Sequence, residues 1–246
     1  MSLAHACDRQ VNAALDLASD GDLVAAKRIL DSLIQSGADL SDTCKINTYR
    51  TLARICIQMT DELARVQCGE ELLDLTNELE LYDANAWTVL FDLSSTYVRQ
   101  QQYSAAEAIL NRLLGLANEI PELPKRNALQ ADMLLALAGI SRDRQQLDEA
   151  KGLLRQYAEL YADVPDDHAT IALGGFIALA EVAYELKDYN LAITAWERSL
   201  NISIAAHVPF PDLHADILDG YIAALRAEGF HDRAQKMQRE LDRNRK

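Results

Sequence analysis

Proline is scarce in this chain, five residues in 246, and glycine is little commoner at ten. Such a composition excludes a fibrous or linker-rich protein. Long apolar runs are missing as well: polar residues break them after a few positions, far short of the ~20 that span a bilayer. No basic start leads into an apolar stretch, so neither a signal peptide nor membrane insertion is expected. Positive charge is the next shortage. Twenty-four Lys and Arg face thirty-eight Asp and Glu, a net charge of −14. A chain of that sign repels phosphate backbones, which excludes nucleic acid as a partner. The one local reversal runs from Arg226 to Lys246, with seven basic and four acidic residues. It reads as a solvated final helix with cations toward its C-terminal end, where the helix dipole favours them.

Cysteine is limited to Cys7, Cys44, Cys56 and Cys68, with no C-x-x-C pair and a twelve-residue step between the last three. That is neither metal-ligand spacing nor a dense disulfide framework. Reduced thiols packed as small hydrophobes, and hence a cytoplasmic protein, are the expectation. His5 and Cys7 lie too close to a fraying end to make a metal site, and no metal or cofactor is expected.

What is present is helix. Leu23, Ala26, Ile29, Leu30, Leu33 and Ile34 recur at three- and four-residue steps, as do Leu147, Ala150, Leu153, Leu154 and Tyr157. Ala, Leu, Glu, Gln and Arg dominate, as helix propensity requires. Pro121 with Pro124, then Pro165, then Pro209 with Pro211 fall about 44 residues apart and mark breaks between longer units.

Regular breaks call for a repeat search. Small residues align at Ala26, Cys68, Ala106, Ala150, Ala192 and Ala234, separated by 42, 38, 44, 42 and 42 residues. Twelve residues before each of these anchors stand Ala14, Cys56, Ser94, Ala138, Ala180 and Ile222, small in five of six. Large residues precede four of the anchors by three positions (Leu23, Tyr103, Leu147 and Tyr189), with Arg65 and His231 as exceptions. Two antiparallel helices approach closely only where small side chains face each other, with larger ones filling the layer above and below. One such hairpin leaves an apolar face open, so hairpins must stack.

These residues resemble the tetratricopeptide repeat (TPR) family. The third unit carries the pattern as Leu90, Leu93, Ser94, Tyr97, Tyr103, Ala106 and Leu110, and the fifth as Phe176, Leu179, Ala180, Tyr189, Ala192 and Trp196. The resemblance covers essentially the whole chain. Its units average about 42 residues against the standard 34, which looks like the long-repeat branch of the family. It implies an all-α fold, a right-handed superhelix of six hairpins in one repeat domain over residues 1–246. The hairpins are expected at about 3–37, 42–80, 84–119, 123–162, 166–206 and 210–244.

No catalytic constellation outranks a packing role. Gly174-Gly175 lacks the flanks of a phosphate loop and suits close helix packing. Asp166-Asp167-His168 suits a helix start. His207 and His214 flank a joint with no ligand set around them. Trp196 belongs to the core, and Trp87 is read as joint filler.

The expected product is therefore a non-catalytic scaffold that holds a protein or peptide partner. The resemblance implies a groove lined by the first helix of each unit, at positions eighteen, fifteen, eleven, eight and seven before each anchor. Phe91, Arg99, Arg142, Glu181, Tyr184 and Glu185 are the candidate contacts. Aromatics supply desolvated area and arginines fork onto carboxylates. The acidic surface suits a basic partner. The alternative is a ligand- or peptide-sensing arm that controls an effector or transcription factor.

Overall fold

The structure is a computed structural model that describes residues 3–35, 40–79, 84–164, 170–205 and 211–244. It is all-α, with twelve α-helices among the described residues. They run as pairs: α1 (Leu3–Ser19) with α2 (Leu23–Gln35), α3 (Asp42–Gln58) with α4 (Glu62–Leu79), and α5 (Ala84–Arg99) with α6 (Tyr103–Ala117). The series continues with α7 (Leu123–Asp143) and α8 (Leu147–Leu160), α9 (Leu173–Glu185) and α10 (Tyr189–Ala205), then α11 (Pro211–Ala227) and α12 (His231–Asn244). A 3-10 turn over Thr170–Ala172 leads into α9. The chain forms two compact units, Met1–Leu110 and Asn111–Lys246. Of the expected breaks, the one near 119–125 is described, with Pro124 in the first turn of α7. Pro165, Asp166-Asp167-His168, His207 and Pro209 lie outside the described residues.

The small residues sit where two helices must touch. All six anchors are at most 1% exposed, and their partners twelve positions earlier are buried too. The turns explain the fixed spacing. Five hairpins place one residue at positive φ five positions before the anchor: Gly21, Gln101, Gln145, Lys187 and Gly229, with φ between 59° and 88°. In each, the following N–H reaches back to the last turn of the first helix, as in Asp188 N to Ala183 O at 2.8 Å and Gln146 N to Ser141 O at 2.8 Å. This is Schellman geometry, which reverses the chain in three residues while satisfying helix-end carbonyls. Asp22, Asp61 and Asp188 then cap the second helices, accepting hydrogen bonds from Ala25, Ala64 and Leu191 N–H groups.

The second hairpin closes differently. Its turn also spans three residues, but Met59 is extended, with φ −68° and ψ 127°. There the two facing small positions are Cys56 and Cys68, and they form a disulfide with Cα atoms 5.6 Å apart. A second disulfide joins Cys7 of α1 to Cys44 of α3, Cα to Cα 6.0 Å, and ties the first hairpin to the second. The expectation of reduced thiols is thus corrected. The twelve-residue step is the register of the hairpin itself, and the close approach that demands small residues also brings two Cα atoms into disulfide range.

Aromatic side chains fill the joints between hairpins of the second unit. Tyr157 of α8 packs on Gly175 of α9, its hydroxyl donating to the Ile171 carbonyl at 3.3 Å, and Trp196 of α10 packs on Gly220 of α11. A methyl group at Gly175 would overlap the Tyr157 ring, whereas one at Gly174 would meet nothing within 4 Å. The glycine pair therefore has one packing member and one open member. In the first unit Arg65, the polar exception three before its anchor, pairs with Asp92 of α5 at 3.0 Å, and Glu70 accepts from the Tyr97 hydroxyl at 2.7 Å. Polar contacts there take the place of an aromatic plug.

Two outcomes follow from this packing. Gly175→Ala should lower stability by about 1–3 kcal/mol, because the tyrosine ring has no free volume to enter. Gly174→Ala should be neutral or stabilising by up to about 1 kcal/mol, since alanine is the better helix former. Thermal melts of the two variants check this, and equal melting would show that α9 is misplaced against α8. The disulfides are checked by trapping thiols at harvest from the native cell, under denaturant: no cysteine should react until reductant is added. Replacing Cys56 and Cys68 together by alanine recreates the small pair of the other hairpins but should still lose roughly 3 kcal/mol of loop-closure stabilisation.

Candidate functional site

The first helices of the second unit bring four of the six candidate residues onto one patch. Arg142 stands at the last turn of α7, eight before its anchor; Glu181 and Glu185 stand on α9, eleven and seven before theirs. Stacking in register sets these positions side by side. Arg142 Nη1 donates to Glu181 Oε2 at 2.6 Å and Nη2 donates to Glu185 Oε1 at 2.8 Å. One guanidinium thereby forks across two carboxylates a single helical turn apart. Burial works against the arginine's charge, but its hydrogen bonds to the Glu181 and Glu185 carboxylates, with their negative charge, outweigh it and raise its pKa. Tyr184 lies on the same stretch of α9, 39% exposed, its ring centroid 5.5 Å from that of Tyr189 and tilted by 58°.

The other two candidates belong to α5 in the first unit. Phe91 is half-buried, and its carbonyl accepts from the Ser94 and Ser95 hydroxyls. Arg99 ends the helix and donates to Glu62 at 3.2 Å and to Thr96 Oγ1 at 2.8 Å, so it bridges to the start of α4. Further along α7, desolvation pushes the Asp132 carboxyl above the usual carboxylate range. Tyr157 and Tyr161 are pushed up chiefly by their own burial, with a smaller contribution from the Asp132 charge. His214, named from the sequence, shares a 2.9 Å hydrogen bond with Ser203. No group of three or more His, Cys, Asp or Glu is placed to hold a metal ion among the described residues. No described helix is long and apolar enough to cross a membrane.

No family model matches the sequence, and no curated protein is significantly similar to it. Solved structures do match across nearly the whole chain. BtubC from P. vanneervenii is 17% identical with a TM-score of 0.62, covering 98% of this chain and 89% of its own. The nearly identical TPR-like repeats of a Podosopora anserina kinesin light chain give 14% and 0.55, covering 100% of this chain and 97% of theirs. The quorum sensor NprR of B. thuringiensis, in its apo form, gives 12% and 0.55, covering 99% of this chain and 66% of that one. The fold is TPR-like.

Within this TPR-like frame the pairing of Arg142 is the feature that sequence reading missed. Arginine was expected to wait for a partner's carboxylate; it is instead held by two carboxylates of the next hairpin. The signal was in the register. Positions eight before one anchor and eleven and seven before the next are neighbours on successive first helices, so opposite charges there neutralise each other. What the patch presents outward is therefore acidic and aromatic rather than cationic.

Each side chain of the fork is about 40% exposed, so its worth is limited by solvent. Arg142→Ala should cost about 1 kcal/mol or less, and the loss should shrink as salt rises. Adding Glu181→Gln and Glu185→Gln should recover part of it, because the like charges one turn apart are then gone. Melting curves at low and high salt check both statements.

Proposed function

We propose that this TPR-like chain is a non-catalytic scaffold, and that the first-helix face of its second unit holds a segment of a protein partner. The observation that carries this reading is the Arg142–Glu181–Glu185 fork beside Tyr184. With its guanidinium already shared, each glutamate keeps lone pairs directed at solvent, and an exposed ring lies between them in sequence. That chemistry suits a basic side chain whose ammonium or guanidinium meets the carboxylates while its stem lies on the tyrosine ring. A basic partner also agrees with the net charge of −14, which steers its approach. On α5 of the first unit Arg99 stands at the position of Glu185, seven before its anchor, and Phe91 lies two turns earlier on the same helix; both are included as contacts there. Nucleic acid is disfavoured by the same charge.

A sensing arm is the second reading, favoured by the likeness in fold to a quorum sensor. In that case the segment would be a free peptide, and binding would shift a conformational equilibrium that an effector reads. The compartment enters through the cysteines. Paired sulphurs suit an oxidising setting, so a cytoplasmic home requires that all four be found reduced in the cell.

The test is capture of partners by the full chain, followed by affinity measurement with Tyr184→Ala and with Glu181→Gln combined with Glu185→Gln. Each should retain its helix content and weaken binding by about 1 kcal/mol or more per central residue. Association should slow with salt for the parent and less so for the double glutamine variant. Partners captured equally well by both variants would move the site off this face.

A further inference from the structure

The second helices carry a different pair of clefts, and the repeat register shows that they are the same place in two hairpin steps. Between α8 and α10 lies a cavity of about 380 Å³ floored by Phe176, Leu179, Leu191 and Ala195, with Arg155 and Arg198 on its rim. Between α2 and α4 lies one of about 260 Å³ floored by Ile34 and Leu75, with Asp31, Glu71, Asp74 and Glu78 around it. Arg155 and Asp31 both stand five residues after their anchors, and Arg198 and Asp74 both stand six after the anchors of the following hairpins. Equivalent positions thus hold arginine in the second unit and aspartate in the first.

At Asp74 and Arg155 the charge is not required by packing, since both clefts have apolar floors and these two residues stand at the rim. Asp74 and Arg155 are exposed and have no ion-pair or hydrogen-bond partner among the described residues. The other charges are already used: Lys27 spans Asp31 and Glu71 at 2.9 and 2.5 Å, Lys45 reaches Glu78 at 2.6 Å, and Arg198 donates to the Val164 carbonyl at 2.5 Å. Glu159 sits beside Arg155 on the basic rim without pairing to it. The imbalance extends beyond the rims. Residues 1–110 hold eight Lys and Arg against seventeen Asp and Glu.

We propose that the chain self-associates through these faces, the acidic α2/α4 face of one copy seating on the arginine-rimmed α8/α10 cleft of a second copy. Glu71, Asp74 and Glu78 follow one another at three- and four-residue steps along α4, so they form a ridge on a single helical face. That row lines the α2/α4 cleft, where it can face the arginine rim of the α8/α10 cleft. In the joint, Arg155 meets Asp74 as a spare cation meeting a spare anion, and the apolar floors are covered. This proposal concerns the second helices and does not rest on the first-helix site.

Sedimentation velocity of the full chain over the micromolar range tests it. The parent should associate, and raising salt from about 50 to about 500 mM should weaken association by about tenfold or more. Arg155→Glu and Asp74→Lys should each weaken self-association by about tenfold or more at unchanged helix content. Mixing the two variants should restore association, because the carboxylate introduced at position 155 of one copy then meets the ammonium introduced at position 74 of the other. A chain carrying both substitutions should self-associate again. A parent that stays monomeric at low salt, or charge-reversed variants that associate as the parent does, would overturn the proposal.

Discussion

Close approach of two antiparallel helices at a pair of small residues is the contact on which the rest of this structure depends. It fixes the twelve-residue step from first helix to second, and with it the three-residue turn. That turn needs one residue in the left-handed region, supplied by Gly21 and Gly229 and tolerated at Gln101, Gln145 and Lys187. It also fixes where bulk is needed: with alanine at the contact, Tyr157 and Trp196 are left to fill the joints against Gly175 and Gly220. In the second hairpin a covalent bond occupies the same contact. Cys56 and Cys68 replace the alanine pair, and the turn that they close is the one without a left-handed residue.

Ion pairs act at the next level, and besides those inside one helix, such as Lys27 with Asp31, several run between hairpins. Lys27 with Glu71, Arg65 with Asp92, Arg142 with Glu181 and Glu185, and Arg233 with Glu197 all join successive hairpins. Each is partly exposed and individually weak. Their common effect is to favour the observed stacking register, since a slip would separate each of these pairs. The apolar layers alone are less selective, because leucine tolerates many neighbours.

The architecture was legible because its determinants are few and periodic. Residue size at the anchors and at the positions twelve before them pointed to an all-α, TPR-like fold, and the glycine pair read as close helix packing has one packing member, Gly175. The cysteine pairs were not legible. The twelve-residue step of Cys56 to Cys68 was seen as a spacing along the chain, although the same step had already been recognised as the distance between two facing positions, and the 37 residues between Cys7 and Cys44 carry no periodic signal. The candidate site was half legible: the register located Arg142, Glu181, Tyr184 and Glu185 on successive first helices. Whether their charges are spare or spent depends on contacts between hairpins, which no single repeat contains.

The same economy explains why no family model matches while solved structures match over nearly the whole length. Packing asks only for small, large or aliphatic at a given position, so identity can fall to 17% at constant fold. Side chains outside those positions are then free to diverge. Specificity in such a chain lies in departures from the repeat, where one hairpin carries what its equivalents do not. Arginine at 155 and 198 against aspartate at 31 and 74 is one such departure, and the glutamate pair around Tyr184 is another. Both lie at rims and faces where solvent accepts most polar residues, so the fold alone leaves them room to carry the recognition chemistry proposed above.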